Sequence, residues 1–255
     1  MLVDKYRING INIEDDNFTF DMDRAKKILR MVVERKLKIN WWLPNGVRAD
    51  RLDYELLKLM KEAQFQTIWI SVESGSQRVN NHIVGKDLNL KEVEKVVSIA
   101  RKIKLRTVAF FLFGFPGETK KDMFKTILFA LKLAIKGLDD AAFVVVVPHP
   151  GTPLFDIAKR NNYLYFLERE TFYPVISTEK FSISDVKKIQ IFAKVIFFLI
   201  YEFKLSSLKK ALRHPVEMKN TLHSLYSMVK QEYSIAAKIK RETQVSWIKG
   251  GLSKY

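Results

Sequence analysis

Residues 107–119 read TVAFFLF followed by GFPGET, an apolar run that ends in a glycine-rich turn. The apolar residues are continuous, so both faces of a strand formed here would be buried. Strands of this kind are typical of parallel sheets that are covered by helices. In such sheets, ligands bind beyond the carboxyl ends of the strands. The stretch therefore predicts an α/β fold and a candidate binding loop at Gly114–Thr119.

Four further apolar or β-branched runs lie at intervals typical of strand–helix units. They are Ile8–Ile13, Lys38–Leu43, Thr67–Val72 and Ala141–Val147. Helical patterns fill the intervals, and they cover Asp23–Arg35, Leu52–Ala63, Leu90–Ile103 and Asp122–Ile135. Asp53, Asn89 and Thr119 are expected to cap three of these helices. The alternation predicts a parallel βα array with right-handed connections.

The pattern changes after Pro153, where helical segments follow one another and no further strand is expected. The helices are predicted over Ser184–Phe203, Leu205–Leu212 and Met218–Lys240. We therefore expect two domains, a βα array over residues 1–160 and a basic helical extension over residues 161–255.

The composition narrows the classes of protein to which the chain can belong. It has 255 residues, 47% of them hydrophobic, which is ample for a core and excludes a disordered chain. It has no cysteine, which excludes a disulfide scaffold, a thiolate zinc site, a cysteine nucleophile and an iron–sulfur cluster ligated by this chain alone. Its four histidines share no ligand spacing, so no metal site is expected.

The charge is strongly positive and is concentrated near the carboxyl terminus. The formal net charge is +16, and residues 204–255 alone hold 11 basic and 3 acidic residues. A basic tail of this kind attracts nucleic acid or anionic lipid, or only keeps the protein in solution. The stretch Phe197–Tyr201 before it indicates either the buried face of a helix or an anchor for peripheral membrane contact.

A location in the cytoplasm is expected, with membrane association as the alternative. The first three residues run directly into the charged segment Asp4–Arg7, so the apolar core of a signal peptide is not found there. The most apolar segment, Ile189–Phe203, is too short to span a bilayer and is interrupted by Lys194.

Each predicted strand ends in a polar or glycine-containing cluster. These clusters are Glu14–Phe18, Pro44–Arg48, Glu73–Ser76, Gly114–Thr119 and Pro148–Pro153. Glycine permits close approach of a ligand to the backbone, and carboxylates accept hydrogen bonds from hydroxyl or ammonium groups. Arg48 and Lys86 are suited to pairing with a carboxylate. Together these features predict a polar cofactor site at one edge of the sheet.

Three segments, in this order, resemble motifs of the radical S-adenosylmethionine (SAM) enzymes. Residues 70–77 (ISVESGSQ), with IVGK at 83–86, resemble the fourth-strand region of that family. Residues 114–119 (GFPGET) and 148–155 (PHPGTPLF) are similar to its fifth-strand and sixth-strand loops. The resemblance covers roughly residues 8–160 and is strongest to the class that often carries an N-terminal cobalamin-binding domain. It implies a partial (βα)6 barrel, SAM as cofactor and a [4Fe–4S] cluster bound by a CxxxCxxC loop.

The resemblance also assigns residues to SAM, and all but one of them lie at strand ends. They are Asp16, Glu73, Ser74, Lys86, Leu112, Gly114, Glu118, Val147 and Pro148. Glu73 and Ser74 would contact the ribose or methionine moiety, and Lys86 would pair with the SAM carboxylate. Asp16 would face the amino group, and the loop from Gly114 would line the adenine. Two further residues are expected to face the substrate, Arg48 and His149.

The chain departs from the family pattern in lacking the cluster loop, and the match begins at the family's second strand. We therefore expect five of the six βα units, forming the C-terminal part of a radical SAM enzyme that is inactive alone. It would carry out a radical-initiated modification of an unidentified small-molecule or lipid substrate, and it would gain the cluster only with its N-terminal part. The resemblance allows cobalamin as a further cofactor, with a methyl transfer or a rearrangement as the reaction. Two alternatives stay open, a non-catalytic module that binds SAM and a fragment of a tRNA-modifying enzyme.

Overall fold

The computed structural model describes residues 2–37, 39–165 and 175–202, together with residues 226, 227 and 230. The helix predicted at Leu205–Leu212 and nearly all of Met218–Lys240 lie outside these residues, as does most of the basic tail. The expected contacts of that tail with membranes or nucleic acid therefore stay predictions. Within the described ranges, no helix is both long and apolar enough to cross a membrane.

The five predicted strands of the array are present. They are β1 (Gly10–Asn12), β2 (Asn40–Trp42), β3 (Ile68–Glu73), β4 (Thr107–Phe113) and β5 (Asp140–Val145). β1 pairs with β2 and β3 pairs with β4, in both cases parallel. β5 lies beside β4 in a three-stranded sheet. The α/β prediction is confirmed, and the prediction for β4 is correct at both ends.

Six helices precede or connect these strands within the described residues, and the four longest follow the sequence pattern. They are α1 (Leu2–Tyr6), α2 (Met22–Glu34), α3 (Tyr54–Glu62), α4 (Gln77–Val79), α5 (Leu90–Lys102) and α6 (Lys120–Lys136). A 3₁₀ turn at Ala49–Arg51 precedes α3, and a π-helical segment at Asn80–Val84 follows α4. The expected N-caps are present, since Asp53 accepts a hydrogen bond from Leu56 N at 2.8 Å and Asn89 accepts one from Lys91 N at 3.0 Å. These caps satisfy backbone donors that a helix start leaves free.

The strands do not close into a barrel within the described residues. β1 and β2 form one sheet and β3–β5 form another. In the part of the chain that the structure describes, isolated parallel bridges from Trp41 to Phe65 and from Val47 to Ile70 join the two sheets. Because β1 and β2 are three residues long, they supply too few backbone groups for a continuous ladder. The structure is therefore an interrupted parallel array.

The central strand β3 has one covered face and one open face. Ile68, Ile70 and Val72 are fully buried, and α5 packs against this strand. Trp69, Ser71 and Glu73 alternate with them and are only half-buried. Side chains on a regular strand alternate between two faces, so Trp69 and Ser71 lie together on the open face, whereas Glu73 follows a shift in the register against β4.

The chain divides into two compact units. The first comprises Met1–Phe111 and Lys125–Ala142, and the second comprises Leu112–Phe124 and the described residues from Phe143 onward. The domains predicted at 1–160 and 161–255 stay a prediction, because much of the second lies outside the described residues.

The second unit contains α7 (Pro153–Arg160), β6 (Leu164–Tyr165), β7 (Val175–Ile176) and α8 (Ile183–Glu202). β6 and β7 pair antiparallel, so the expectation of no strand after Pro153 was wrong. Strands of two residues are too short to produce an alternating pattern in the sequence. On α8, Phe197 is 4% exposed and lies 5.9 Å from Phe143 between ring centroids, as a buried helix face predicts.

Candidate functional site

A carboxylate and an ammonium group meet at the carboxyl end of β3. Lys86 Nζ donates hydrogen bonds to Glu73 Oε1 at 2.7 Å and to the carbonyl oxygen of Ser71 at 2.6 Å. The side chains of Lys86 and Glu73 are 10% and 18% exposed. Two residues that the sequence assigns to SAM are therefore adjacent, and they bind each other.

Glu73 has an unusual backbone conformation. Its φ is +66°, in the left-handed region, which costs a residue with a Cβ roughly 1–2 kcal/mol. The pairing of β3 with β4 shifts register between Ser71 and Glu73. Strained backbone of this kind is concentrated at ligand sites and switch regions. The strain and the register shift mark the end of β3 as a candidate site on grounds independent of the sequence motif.

Arg48 holds the segment that carries Lys86. Its Nη2 donates to the carbonyl oxygen of Lys86 at 2.8 Å, and Nε and Nη2 donate to the two carboxylate oxygens of Asp50 at 3.0 Å each. Burial raises the pKa of Asp50, but the hydrogen bonds and charge of Arg48 outweigh burial and hold that pKa below its ordinary value. The guanidinium is thus engaged by protein groups, and its expected contact with substrate stays a prediction.

The Ser74 hydroxyl is fully buried against α6. It lies 3.0 Å from Thr126 Oγ1 and accepts a hydrogen bond from Ser76 N at 3.1 Å. Gly75 N donates to the same Thr126 oxygen at 2.9 Å. A Cβ on Gly75 would lie 2.6 Å from Phe129 Cβ and from Thr126 Cα, so only glycine fits. These contacts anchor the loop after β3, and contact of Ser74 with SAM stays a prediction.

Asp16 lies in the segment after β1, where its side chain is exposed. Its neighbour Asp15 accepts hydrogen bonds from Asn17 N at 2.9 Å and from Arg24 Nη2 at 3.3 Å. Asp15 therefore shapes the local turn, whereas Asp16 faces solvent. The role assigned to Asp16 stays a prediction.

In the second unit, Glu118 closes the glycine-rich turn after β4. Its Oε2 accepts hydrogen bonds from Gly114 N at 2.8 Å and Phe115 N at 3.2 Å, and the residue is fully buried. Gly114 has a φ of +100°, which glycine adopts without steric cost. Glu118 thus has a structural role here, and Gly114 supplies the turn that this role requires.

The loop after β5 carries the remaining predicted residues of the second unit. Val147 is half-buried, Pro148 is buried and His149 is exposed. The carbonyl oxygen of His149 accepts a hydrogen bond from Thr152 Oγ1 at 2.6 Å, and Thr152 caps α7. The predicted loop is therefore ordered by the start of a helix. Leu112, on β4, is half-buried.

Sequence reasoning missed Thr126 as a partner of the β3 loop and missed an aromatic cavity in the first unit. Thr126 gave no signal, because it lies within the pattern of an ordinary amphipathic helix. The cavity has a volume of about 410 Å³ and is lined by Asn12, Trp42, Pro44, Trp69 and Phe110. Trp42 belongs to the predicted strand Lys38–Leu43, and the sequence pattern gives no sign of the cavity. The position of Trp42 beside the cavity depends on pairing between strands that are far apart in the sequence.

Metal binding is not indicated by the described ranges. They contain no group of three histidine, aspartate or glutamate side chains placed to hold an ion, and the sequence contains no cysteine. The residues of this chain therefore supply no thiolate ligands for an iron–sulfur cluster.

The family of the chain follows from comparison with known sequences. The model of the radical SAM superfamily matches residues 1–130. This chain belongs to the radical SAM superfamily. An uncharacterized methyltransferase of Pyrococcus horikoshii is 31% identical over 82% of this chain and 47% of its own length. Cytidylyl-2-hydroxyethylphosphonate methyltransferase of Streptomyces wedmorensis is 31% identical over 64% of this chain and 31% of its own length. The chain thus spans half or less of the length of these relatives.

Solved structures show the same fold. The radical SAM methyltransferase TsrM of Kitasatospora setae, bound to tryptophan substrate and the SAM analogue aza-SAM, matches with a TM-score of 0.57 and 18% identity, over 66% of this chain and 34% of TsrM. TsrM with cobalamin and a [4Fe–4S] cluster matches with a TM-score of 0.55 and 18% identity, over 65% of this chain and 31% of TsrM. The resemblance inferred from the sequence is confirmed.

Proposed function

We propose that this chain forms the SAM-binding part of a radical SAM methyltransferase whose cluster ligands come from polypeptide outside the chain. The observation that carries the proposal is the Glu73–Lys86 pair at the strained end of β3. Its family membership and the methyltransferase names of two relatives support the reaction class. The same outside polypeptide would complete the partial barrel beside β1.

The described residues fit SAM in charge and in hydrogen-bonding capacity. Lys86 is suited to the SAM carboxylate, and the Glu73 carboxylate is suited to ribose hydroxyls or to the amino group. SAM, when bound, supplies an activated methyl group or a radical precursor. The two side chains bind and orient SAM. When SAM binds, Lys86 and Glu73 each replace their contact with the other by a contact with SAM. Arg48 keeps Lys86 in place through the exchange, because it bonds to the Lys86 backbone rather than to its side chain.

An iron–sulfur cluster does not fit this chain alone, since the chain contains no cysteine. No described residue is assigned to cobalamin either. The proposal therefore limits this chain to binding and positioning SAM.

SAM binding to the 255-residue chain, measured by isothermal titration calorimetry, tests the proposal. We expect saturable binding that Lys86→Met and Glu73→Gln each weaken about tenfold, which corresponds to about 1.4 kcal/mol. Lys95→Met is the matched control, because Lys95 forms an exposed ion pair with Glu92. Absence of saturable binding, or equal affinity in the site variants and the control, would overturn the proposal.

The absence of cysteine favours a second function, a non-catalytic module that binds SAM. The two functions differ in how much affinity the chain supplies by itself. A module must bind its ligand alone, so its affinity for SAM would not depend on any cluster-bearing polypeptide. Part of a catalytic site binds more weakly until the cluster-bearing polypeptide is added. The same titration in the absence of any cluster therefore separates the two.

A further inference from the structure

The proposed function makes no use of the aromatic cavity in the first unit. Its lining residues come from four consecutive strands or the segments that follow them, and they are Asn12, Trp42, Pro44, Trp69 and Phe110. Trp69 lies on the open face of β3 together with Ser71, whose carbonyl oxygen accepts a hydrogen bond from Lys86 Nζ. The cavity therefore borders the stretch of β3 to which the Lys86 side chain binds.

The cavity lies close to the candidate SAM site along the strand. Residues of a strand rise about 3.3 Å each, so Trp69 is roughly 13 Å from Glu73. Phe110 pairs in register with Ser71, which places it between these two residues. A ligand in the cavity would therefore lie along β3 from a cofactor held at Glu73, and a cofactor that extends from Glu73 toward Trp69 could transfer a group to it.

The lining is suited to a flat ring. The rings of Trp69 and Phe110 stack with centroids 4.7 Å apart and an angle of 26°, and Trp42 is 36% exposed. Aromatic rings prefer stacked or edge-to-face partners beyond the gain from burial alone. Asn12 adds an amide that donates and accepts hydrogen bonds. Aromatic faces also attract cations, but the chain carries a net charge of +16, which disfavours a cationic ligand.

We propose that this cavity holds a planar aromatic or heteroaromatic ring of the substrate. The inference rests on the proposed function and names the substrate class of that site. Trp69 and Phe110 form the stacking wall, Trp42 closes one side, and Asn12 hydrogen-bonds to a polar substituent of the ring. The volume of about 410 Å³ accommodates a fused bicyclic system.

Two neutral probes of the same skeleton test the proposal on the unmodified chain. They are 2-naphthol, which is planar, and decahydro-2-naphthol, which is saturated and more hydrophobic. Burial of apolar area alone favours the saturated probe, whereas stacking favours the planar one. We expect ligand-observed NMR to show saturable binding of 2-naphthol with about tenfold preference. Equal binding, preference for the saturated probe, or no saturable binding would overturn the proposal.

Variants locate the bound probe. Trp69→Leu and Phe110→Leu should each weaken 2-naphthol binding about tenfold, and Phe20→Leu, at an aromatic residue that is 65% exposed outside the cavity, should not. Unchanged binding in both cavity variants would overturn the proposal. Titration of SAM into the unmodified chain distinguishes the two proposals. A chain that binds 2-naphthol but does not bind SAM would contradict only the proposed function.

Discussion

Lys86 Nζ lies 2.7 Å from Glu73 Oε1 at the end of β3, where the backbone of Glu73 is left-handed. The pair is mostly buried, so each charge offsets the cost of removing the other from water. A ligand with a carboxylate and hydroxyl groups would take over both contacts. The pair thus keeps the charged site stable without ligand while leaving both groups at the strand edge.

Lys86→Met should destabilise the chain by about 1–3 kcal/mol, because it leaves the Glu73 carboxylate without its ammonium partner. Lys95→Met provides the control, since Lys95 and Glu92 are 66% and 40% exposed and such pairs contribute about 0–1 kcal/mol. Urea denaturation at pH 7 measures both free energies of unfolding. Equal losses in the two variants would show that the Glu73 pair is no more than a surface contact.

Gly75→Ala should cost about 3 kcal/mol or prevent folding, because the added Cβ would meet Phe129 Cβ, Thr126 Cα and the carbonyl oxygen of Lys125 at 2.6–2.8 Å. Gly151→Ala is the control. Gly151 has a φ of +84° but no atom within 4 Å of an added Cβ, so only backbone strain of about 1–2 kcal/mol applies. Thermal unfolding followed by circular dichroism compares them. A Gly75 variant as stable as the Gly151 variant would contradict the close packing of this loop on α6.

Stability should fall in acid partly through Glu94. Burial raises the pKa of its carboxyl, but Lys132 at 2.6 Å and Lys136 at 3.4 Å outweigh burial and hold the pKa below its ordinary value of 4.5. A lowered folded-state pKa contributes stability above the ordinary value, and this stability is lost as the pH falls through the folded-state pKa.

The variant Glu94→Gln should therefore be less stable than the unmodified chain at pH 7, and the difference should shrink as the pH falls below 4.5. Glu92→Gln, at an exposed residue of the same helix, should show a small difference throughout. Urea denaturation between pH 3 and pH 7 measures both. A difference for Glu94→Gln that is constant with pH would rule out the ion pairs as its source.

The sequence predicts elements well where a pattern extends over several residues. The apolar run at Thr107–Phe113 sets both ends of β4, and Asn89 correctly marks the start of α5. It fails where geometry depends on distant partners. The left-handed φ of Glu73 accompanies a register shift against β4, and the partners of Arg48 include a carbonyl 38 residues away. Neither can be derived from local periodicity.

The candidate site shows the same division between local and distant information. Glu73 and Lys86 were assigned by motif, and the structure brings them together. The hydroxyl of Ser74, assigned in the same way, is directed into α6 and bonds to Thr126. A motif records which residues are present, but the direction of a side chain depends on what packs against the loop.

Thr126→Val should destabilise the chain by about 1–3 kcal/mol and weaken SAM binding. Valine matches the shape of threonine but removes the acceptor of the partly buried Gly75 N–H and the partner of the buried Ser74 hydroxyl, and polar groups left unpaired in this way carry a desolvation cost. The loop that Gly75 anchors follows Glu73 directly, so its loosening should also reduce affinity at the strand end. Thr107→Val is the control. Thr107 is fully buried, but its hydroxyl lies 3.4 Å from Asp139 Oδ2, an oxygen that also accepts from Thr107 N at 2.8 Å.

We therefore expect Thr107→Val to lose less than about 1 kcal/mol and to retain full SAM affinity. Urea denaturation and calorimetric titration of SAM measure the two effects on the same samples. Lower stability with unchanged SAM affinity in Thr126→Val would contradict a link between the α6 anchor and the Glu73 site. Reduced affinity in both variants would show that SAM binding follows global stability rather than this anchor.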